Sequence, residues 1–277
     1  KDGFFWEYME IPQKNDDNAL EMYTLQCRNH ILKPLAEKYG IDTSDEAIRA
    51  AVEQHNEVCR LIRAIGDFRK EANPRVTGYE FHILTLVSYV APKHLIVDKL
   101  RETLEEIKTR EPDAADKYRA RVVFVGSEVD DVDVIRLVEE SGAYVCADRF
   151  CYGSLPGRDE ILLNDDEDVV KQVCRQVQGR AQCPRYWDMA KMTGRRDYVA
   201  DLAKEYGADG IIYEQMKFCD PWAYERMIGT IVLRDEHGYP VLAVDRPYSI
   251  GSSGQMRTRV QAFVESIEIK KIQGGKK

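Results

Sequence analysis

Most of the chemistry open to this sequence resides in seven cysteines: Cys27, Cys59, Cys146, Cys151, Cys174, Cys183 and Cys219. Two stand just past apolar β-branched runs and among turn-forming residues: Cys151 in RFCYGSLPGR and Cys219 in MKFCDPW. Thiolate is the ligand that iron–sulfur clusters require. An unpaired cysteine is as often a small apolar filler, so both readings stay open for Cys219 and Cys151. Cys59 and Cys174 fall on apolar helix faces, Cys146 inside a strand and Cys27 in mid-helix, where packing is the simpler role. Cys183, in QCPRYW, lies in a loop, and a ligand role there is not favoured. The sequence holds no C-x-x-C and no four-cysteine ligand set. Either residues elsewhere complete a cluster site with Cys219, or there is no cluster.

A second candidate is SIGSSGQMRTR, residues 249–259. Gly251 and Gly254 permit unusual backbone angles, and Ser252 and Ser253 can cap a helix. Gln255 opens that helix, whose free N–H groups could face an anion or a cluster. Arg257 and Arg259 add positive charge. The simpler alternative is an ordinary capped helix with solvated arginines. No G-K-[ST] follows, which excludes a Walker loop, and GxGxxG and GxSxG are absent. The five histidines are scattered without HExxH spacing, so a zinc hydrolase is unsupported.

These residues need elements to position them. From residue 119 onward strands and helices alternate. RVVFV, AYVCADRF, DGIIYEQMKF and PVLAVD read as buried strands. Helices are expected over 132–140, 165–178, 196–206 and 254–267. Such alternation means βαβ units and a mostly parallel sheet, with ligands beyond the C-terminal strand ends. Four segments fall there: GSEVDD, RFCYGSLPGR, KFCDPW and DRPYSIGSSGQMRTR. Acid–base candidates among them and at their edges are Glu128, Asp148, Asp220, Asp245 and Tyr248.

Residues 18–118 read as helical. Gly40 ends a helix begun near Asn18. A second spans 42–69, with Thr43 and Ser44 as candidate N-caps and Glu46 fitting a capping box with Thr43. A third runs over 79–110, interrupted near Pro92. FFWEYMEI, residues 4–11, reads as a buried strand. The chain starts at Lys1 without Met, so Lys1 is expected to be internal, with sequence missing before it. The expected class is α/β: a flavodoxin- or Rossmann-like parallel sheet domain at 119–277, a mainly helical region at 18–118, and the end of a truncated N-terminal α/β domain at 1–17.

The 277 residues are 44% hydrophobic, enough for one large or two moderate domains. A net charge of −8 disfavours nucleic acid and anionic membranes as partners. No apolar run is long enough for a membrane-spanning helix. An odd number of cysteines in a chain of this size argues against a disulfide framework and for a reducing cytoplasm.

RVVFVGSEV, ADRFCYGSLPGR, YGADGIIYEQMKFCDP and GYPVLAVDRPYSIGSSGQMRTRVQAFVESI together resemble the benzoyl-CoA reductase / 2-hydroxyacyl-CoA dehydratase family. The last two segments are the most specific. NEVCRLIRAI looks like the family's linker helix, and the likeness runs from about residue 5 to 270. The resemblance implies two homologous subunits, each able to hold a [4Fe–4S] cluster through N-terminal cysteines and the strand-end KFC. Cys219 would be that ligand. The N-terminal ligands have no counterpart here, and Cys151 matches a family cysteine without an assigned ligand role. It further implies an ATP-hydrolysing iron–sulfur activator and an acyl-CoA substrate. The chemistry would be two-electron dearomatisation of benzoyl-CoA or radical dehydration of a 2-hydroxyacyl-CoA. The loops RFCYGSLPGR and DRPYSIGSSGQMRTR favour the reductase. A non-catalytic scaffold relative is the alternative outside enzymes.

Overall fold

The structure is a computed structural model that describes residues 6–112, 117–154, 159–180, 182–186, 188–248 and 253–274. At its centre β1 (Ala120–Val125), β2 (Ala143–Arg149), β3 (Gly210–Met216) and β4 (Val241–Arg246) form one sheet. Every pairing is parallel and the order is β2-β1-β3-β4. β1 and β2 are buried on both faces, which is why they read as unbroken apolar runs rather than alternating ones. This order matches the first four strands of a flavodoxin-like sheet, and the strand order reverses between β1 and β3.

Helices cover both faces. On one side α6 (Val132–Glu140) and α10 (Ser253–Gly274) bury Val134, Ile135, Val138, Val260 and Val264 against Phe124 and Ile212. On the other, α8 (Met189–Glu205) and α9 (Asp220–Asp235) pack Val199, Leu202, Trp222 and Leu233 onto Val123, Val125, Ile211 and Tyr213. The expected α/β class is therefore found.

The helical region runs through α1 (Asp17–Cys27), α2 (Lys33–Tyr39), α3 (Asp45–Asp67), α4 (Gly78–Val90) and α5 (Lys93–Thr109). Gly40, in the left-handed conformation, ends α2 as read from sequence. A π-turn at Arg28–Leu32 links α1 to α2. α3, α4 and α5 share a core of Val58, Ile62, Ile65, Phe81, Ile96 and Leu100. α1 instead packs on α7 (Val169–Arg180).

Several expected boundaries move. Of the two expected N-caps, Ser44 rather than Thr43 caps α3, accepting the Ala47 N–H at 3.3 Å. α7 begins at Val169 because Asp168 accepts the Lys171 N–H at 2.7 Å. α8 begins at Met189, capped by Asp188, so Arg195 and Arg196 lie inside it. Both pair with buried Glu225 of α9, a helix not expected from the sequence. Residues 6–11 form no strand: no neighbouring strand among the described residues pairs with them, and Trp6 and Tyr8 are exposed. Phe4 and Phe5 lie outside the described residues.

Buried polar contacts fasten the helical region to the sheet domain, two of them through carboxylates. Glu139 of α6 accepts the Gly78 and Tyr79 N–H groups at 2.8 and 3.1 Å, and burial pushes its carboxyl up to about 7. Gly78 is required there, since a Cβ would stand 2.6 Å from the Val145 Cβ. Arg69, just past α3, pairs with Asp148 of β2 at 2.9 Å, both side chains almost wholly buried. The Arg69 guanidinium stacks 3.5 Å from the Phe81 ring centroid. Removing one partner of such a pair strands the other charge in the interior. Asp148→Ala should lower stability by about 3–5 kcal/mol. Replacing Arg60, whose ion pairs with Glu53 and Glu160 lie in solvent, should cost far less. Urea midpoints of the two variants check the contrast.

Candidate functional site

In a sheet of this order the ligand crevice lies beyond the C-terminal ends of β1 and β3. β3 reads GIIYEQM, and its Glu214 has no exposed surface. A lone carboxylate there would be costly. Ser127, just past β1, donates to Glu214 through its N–H at 3.0 Å and its hydroxyl at 2.9 Å. The Arg246 guanidinium at the end of β4 lies 2.9 Å from the other carboxylate oxygen. The Ser127 hydroxyl also accepts the Met216 N–H at 2.6 Å. Gly126 lets the strands close up: a Cβ would sit 2.4 Å from Glu214 Oε2. Arg246 additionally donates to the backbone carbonyls of Glu128, Pro247 and Tyr248. One buried knot thus joins β1, β3 and β4 at their C-terminal ends.

The knot holds the two favoured cysteines. The Cys151 N–H donates to the Ser127 carbonyl at 3.0 Å. Cys219 closes a tight turn through its N–H to the Met216 carbonyl at 3.1 Å, and it is also the N-cap of α9. Pro221 follows within the first turn, where its missing N–H costs nothing. Phe218, just before it, has φ 72° and is 96% exposed. A bulky residue in the left-handed region is strained, and such strain gathers where surrounding structure fixes a functional geometry.

Cys219 is half-buried and Cys151 and Cys183 are comparably placed. Burial pushes the Cys151 thiol up to about 12, reinforced by the neighbouring Cys183 and Cys219 sulfurs and opposed by the Trp222 side chain. Burial raises the Cys219 thiol as well, with the Trp222 N–H opposing and Cys183 reinforcing. Three thiols therefore sit within electrostatic reach of one another. Cys183 neighbours Cys219 in space although it is far off in the chain, a proximity that the sequence does not show. Cys151 and Cys219 also border the apolar cluster around Trp222, so their sulfurs serve packing too.

The fourth segment lies apart from the thiols but touches the same knot. A shallow pocket between the end of β4 and the start of α10 is lined by Arg246, Pro247, Gln255, Met256 and Arg259. Gly254 and Gln255 open α10, as expected. Ser252 lies outside the described residues, as does the Ser253 side chain. Arg257 pairs with Glu140 at 2.8 Å, and Arg259 donates to the Ala243 carbonyl at 2.6 Å. These two arginines have internal partners rather than standing as free anion receptors.

Of the acid–base candidates, Asp148 is taken by Arg69 and Asp245 is exposed. Tyr248 donates to Asp130 at 2.8 Å. Glu128 differs: burial and the adjacent Asp130 push its carboxyl up to about 7. Glu214, which sequence reasoning missed, is raised to about 7 by burial, against Arg246 and Ser127. The signal was present as a single acid inside an apolar strand.

The folded state holds the Glu214 proton more tightly than the unfolded chain, whose carboxyl titrates in the usual range. Stability from this group is therefore greatest at acid pH and falls as pH rises through about 7. Glu214→Gln should flatten that part of the stability profile, read as urea midpoints at a series of pH values.

The sequence model of the family described as 2-hydroxyglutaryl-CoA dehydratase, D-component, matches residues 4–267. The beta subunit of (R)-phenyllactyl-CoA dehydratase from Clostridium sporogenes is 25% identical over 259 residues, 93% of this chain and 67% of that protein. The beta subunit of (R)-2-hydroxyglutaryl-CoA dehydratase from Acidaminococcus fermentans is 24% identical over 265 residues, 94% and 68%. A benzoyl-CoA reductase subunit from Thauera aromatica is 23% identical over 273 residues, 96% and 68%. The chain thus spans about two thirds of each relative, and all three relatives are subunits of enzymes. With its parallel sheet and a match over nearly its whole length, the chain belongs to the 2-hydroxyglutaryl-CoA dehydratase D-component family, which takes in both dehydratase and benzoyl-CoA reductase subunits.

Proposed function

We propose that this chain is a cluster-holding subunit of an oxygen-sensitive acyl-CoA enzyme, with Cys219 as the thiolate ligand from its α/β sheet. The observation that supports this most is the position of Cys219: half-buried, N-capping α9, beside the end of β3 at the reversal of strand order. A thiol donor next to a helix N-terminus suits an anionic [4Fe–4S] cluster. The described residues offer only part of a ligand set, since no group of three or more His, Cys, Asp or Glu among them could hold a metal ion. The other ligands would come from elsewhere in the protein or from a homologous second subunit. A bound cluster would supply single electrons at low potential, delivered by an ATP-hydrolysing iron–sulfur activator.

This chain's own residues would do the rest. The Glu214–Ser127–Arg246 knot fixes the strand ends that floor the crevice. Glu128, titrating near neutrality at the crevice edge, is suited to hold a proton for the acyl group. The reaction read from RFCYGSLPGR and DRPYSIGSSGQMRTR is reduction of the benzoyl-CoA ring to a cyclohexadiene-carboxyl-CoA. A second reading, dehydration of a 2-hydroxyacyl-CoA, is favoured by the family's description and by two of the three relatives above.

Assay of the anaerobically purified complex with activator and ATP separates them: benzoyl-CoA consumption supports the first reading, 2-hydroxyacyl-CoA dehydration the second. Cys219→Ser should lower iron and acid-labile sulfide in the complex, and unchanged iron would remove the ligand assignment. Glu128→Gln should keep the iron and lose about 10²–10⁴-fold in turnover. Full turnover in that variant would remove Glu128 as proton carrier.

A further inference from the structure

The cysteines assigned above to packing include a pair that the candidate site does not use. Cys27 ends α1 and Cys174 lies within α7, yet their sulfur atoms stand 3.5 Å apart. Both belong to a separate apolar cluster, with Leu20, Tyr23 and Val170, not to the one bordered by Cys151 and Cys219. Cys27 is half-buried and Cys174 is buried. The Met9 thioether lies 3.9 Å from the Cys27 sulfur, so the more accessible thiol sits in a sulfur-rich pocket.

We propose that Cys27 and Cys174 form a reversible dithiol–disulfide site that fastens α1 to α7 when a low-molecular-weight disulfide oxidises it. The two sulfurs, already in contact at 3.5 Å, must close to about 2.05 Å. Cys27, the accessible member, attacks one sulfur of the oxidant and releases one thiolate. Cys174 then attacks the Cys27 sulfur of the mixed disulfide, releases the second thiol and closes the protein disulfide. The two cysteine thiols lose two electrons together, and one oxidant disulfide becomes two thiols. The protons leaving the cysteines go to the released thiolates.

The electrostatics divide the roles the same way. The Cys174 thiol holds Cys27 below the usual thiol range, and Cys174 itself is pushed up by Cys27 and by burial. A nucleophile with more thiolate character attacks first, and the buried partner resolves. The cross-link would join the helical region to the α/β domain across a long stretch of chain, so it constrains the unfolded state strongly. It is independent of the role given to Cys219.

The test is peptide mapping of the anaerobically purified protein without reductant, after treatment with oxidised glutathione. The expected product is a Cys27–Cys174 cross-linked peptide that dithiothreitol removes. Cys174→Ser should instead accumulate glutathione on Cys27, and Cys27→Ser should leave Cys174 unmodified. Urea midpoints should be higher for the oxidised wild type than for the reduced. Recovery of both residues as iodoacetamide adducts after oxidation would overturn the proposal, as would stable glutathione on Cys27 in the wild type.

Discussion

A carboxylate with no exposed surface governs the working end of this sheet. Glu214 is a charge-bearing group placed where charge is costly, so its neighbours are fixed by the need to compensate it. Ser127 gives it two hydrogen bonds and Arg246 faces it at 2.9 Å. Those partners come from the loop after β1 and the end of β4. Compensating one side chain therefore sets the mutual position of three strand ends. Cys219 sits a few residues on in the same strand-to-helix connection, and Cys151 hangs from the Ser127 carbonyl. The candidate ligands inherit their places from the knot.

The helical region is held by the same kind of economy. Arg69 reaches from the end of α3 to Asp148 at the end of β2, and Asp148 also accepts the Ser154 N–H and hydroxyl. The loop bearing Cys151 is thus folded back on the residue that anchors the helices. Interior salt bridges add little net stability against apolar replacements, but they penalise wrong geometry heavily. That property suits a crevice whose walls come from distant parts of the chain.

The sheet was legible in the sequence because its central strands are buried on both faces, leaving β-branched runs with little polar interruption. The helix after β2 and its successor were misplaced because their caps, Asp168 and Asp188, stand among other polar residues that hide the start. α9 was missed although Pro221 and Trp222 mark its beginning, because it opens directly from the Cys219 turn and its first residues read as loop. Glu214 was visible as an odd residue, but its partners were not, since Ser127 and Arg246 meet it only once strand order is known. Cys183 and the Cys27–Cys174 contact were hidden for the same reason. Residues 155–158 and 249–252, which carry part of the resemblance to the reductases, lie outside the described residues.

If the sulfur at position 219 bonds to iron, an anaerobic crystal or electron-microscopy structure of the complete complex will show continuous density from Cys219 Sγ to an iron of a four-iron cluster beside the end of β3. A cluster bound wholly by other residues, with the Cys219 sulfur turned against Trp222, would overturn the ligand assignment.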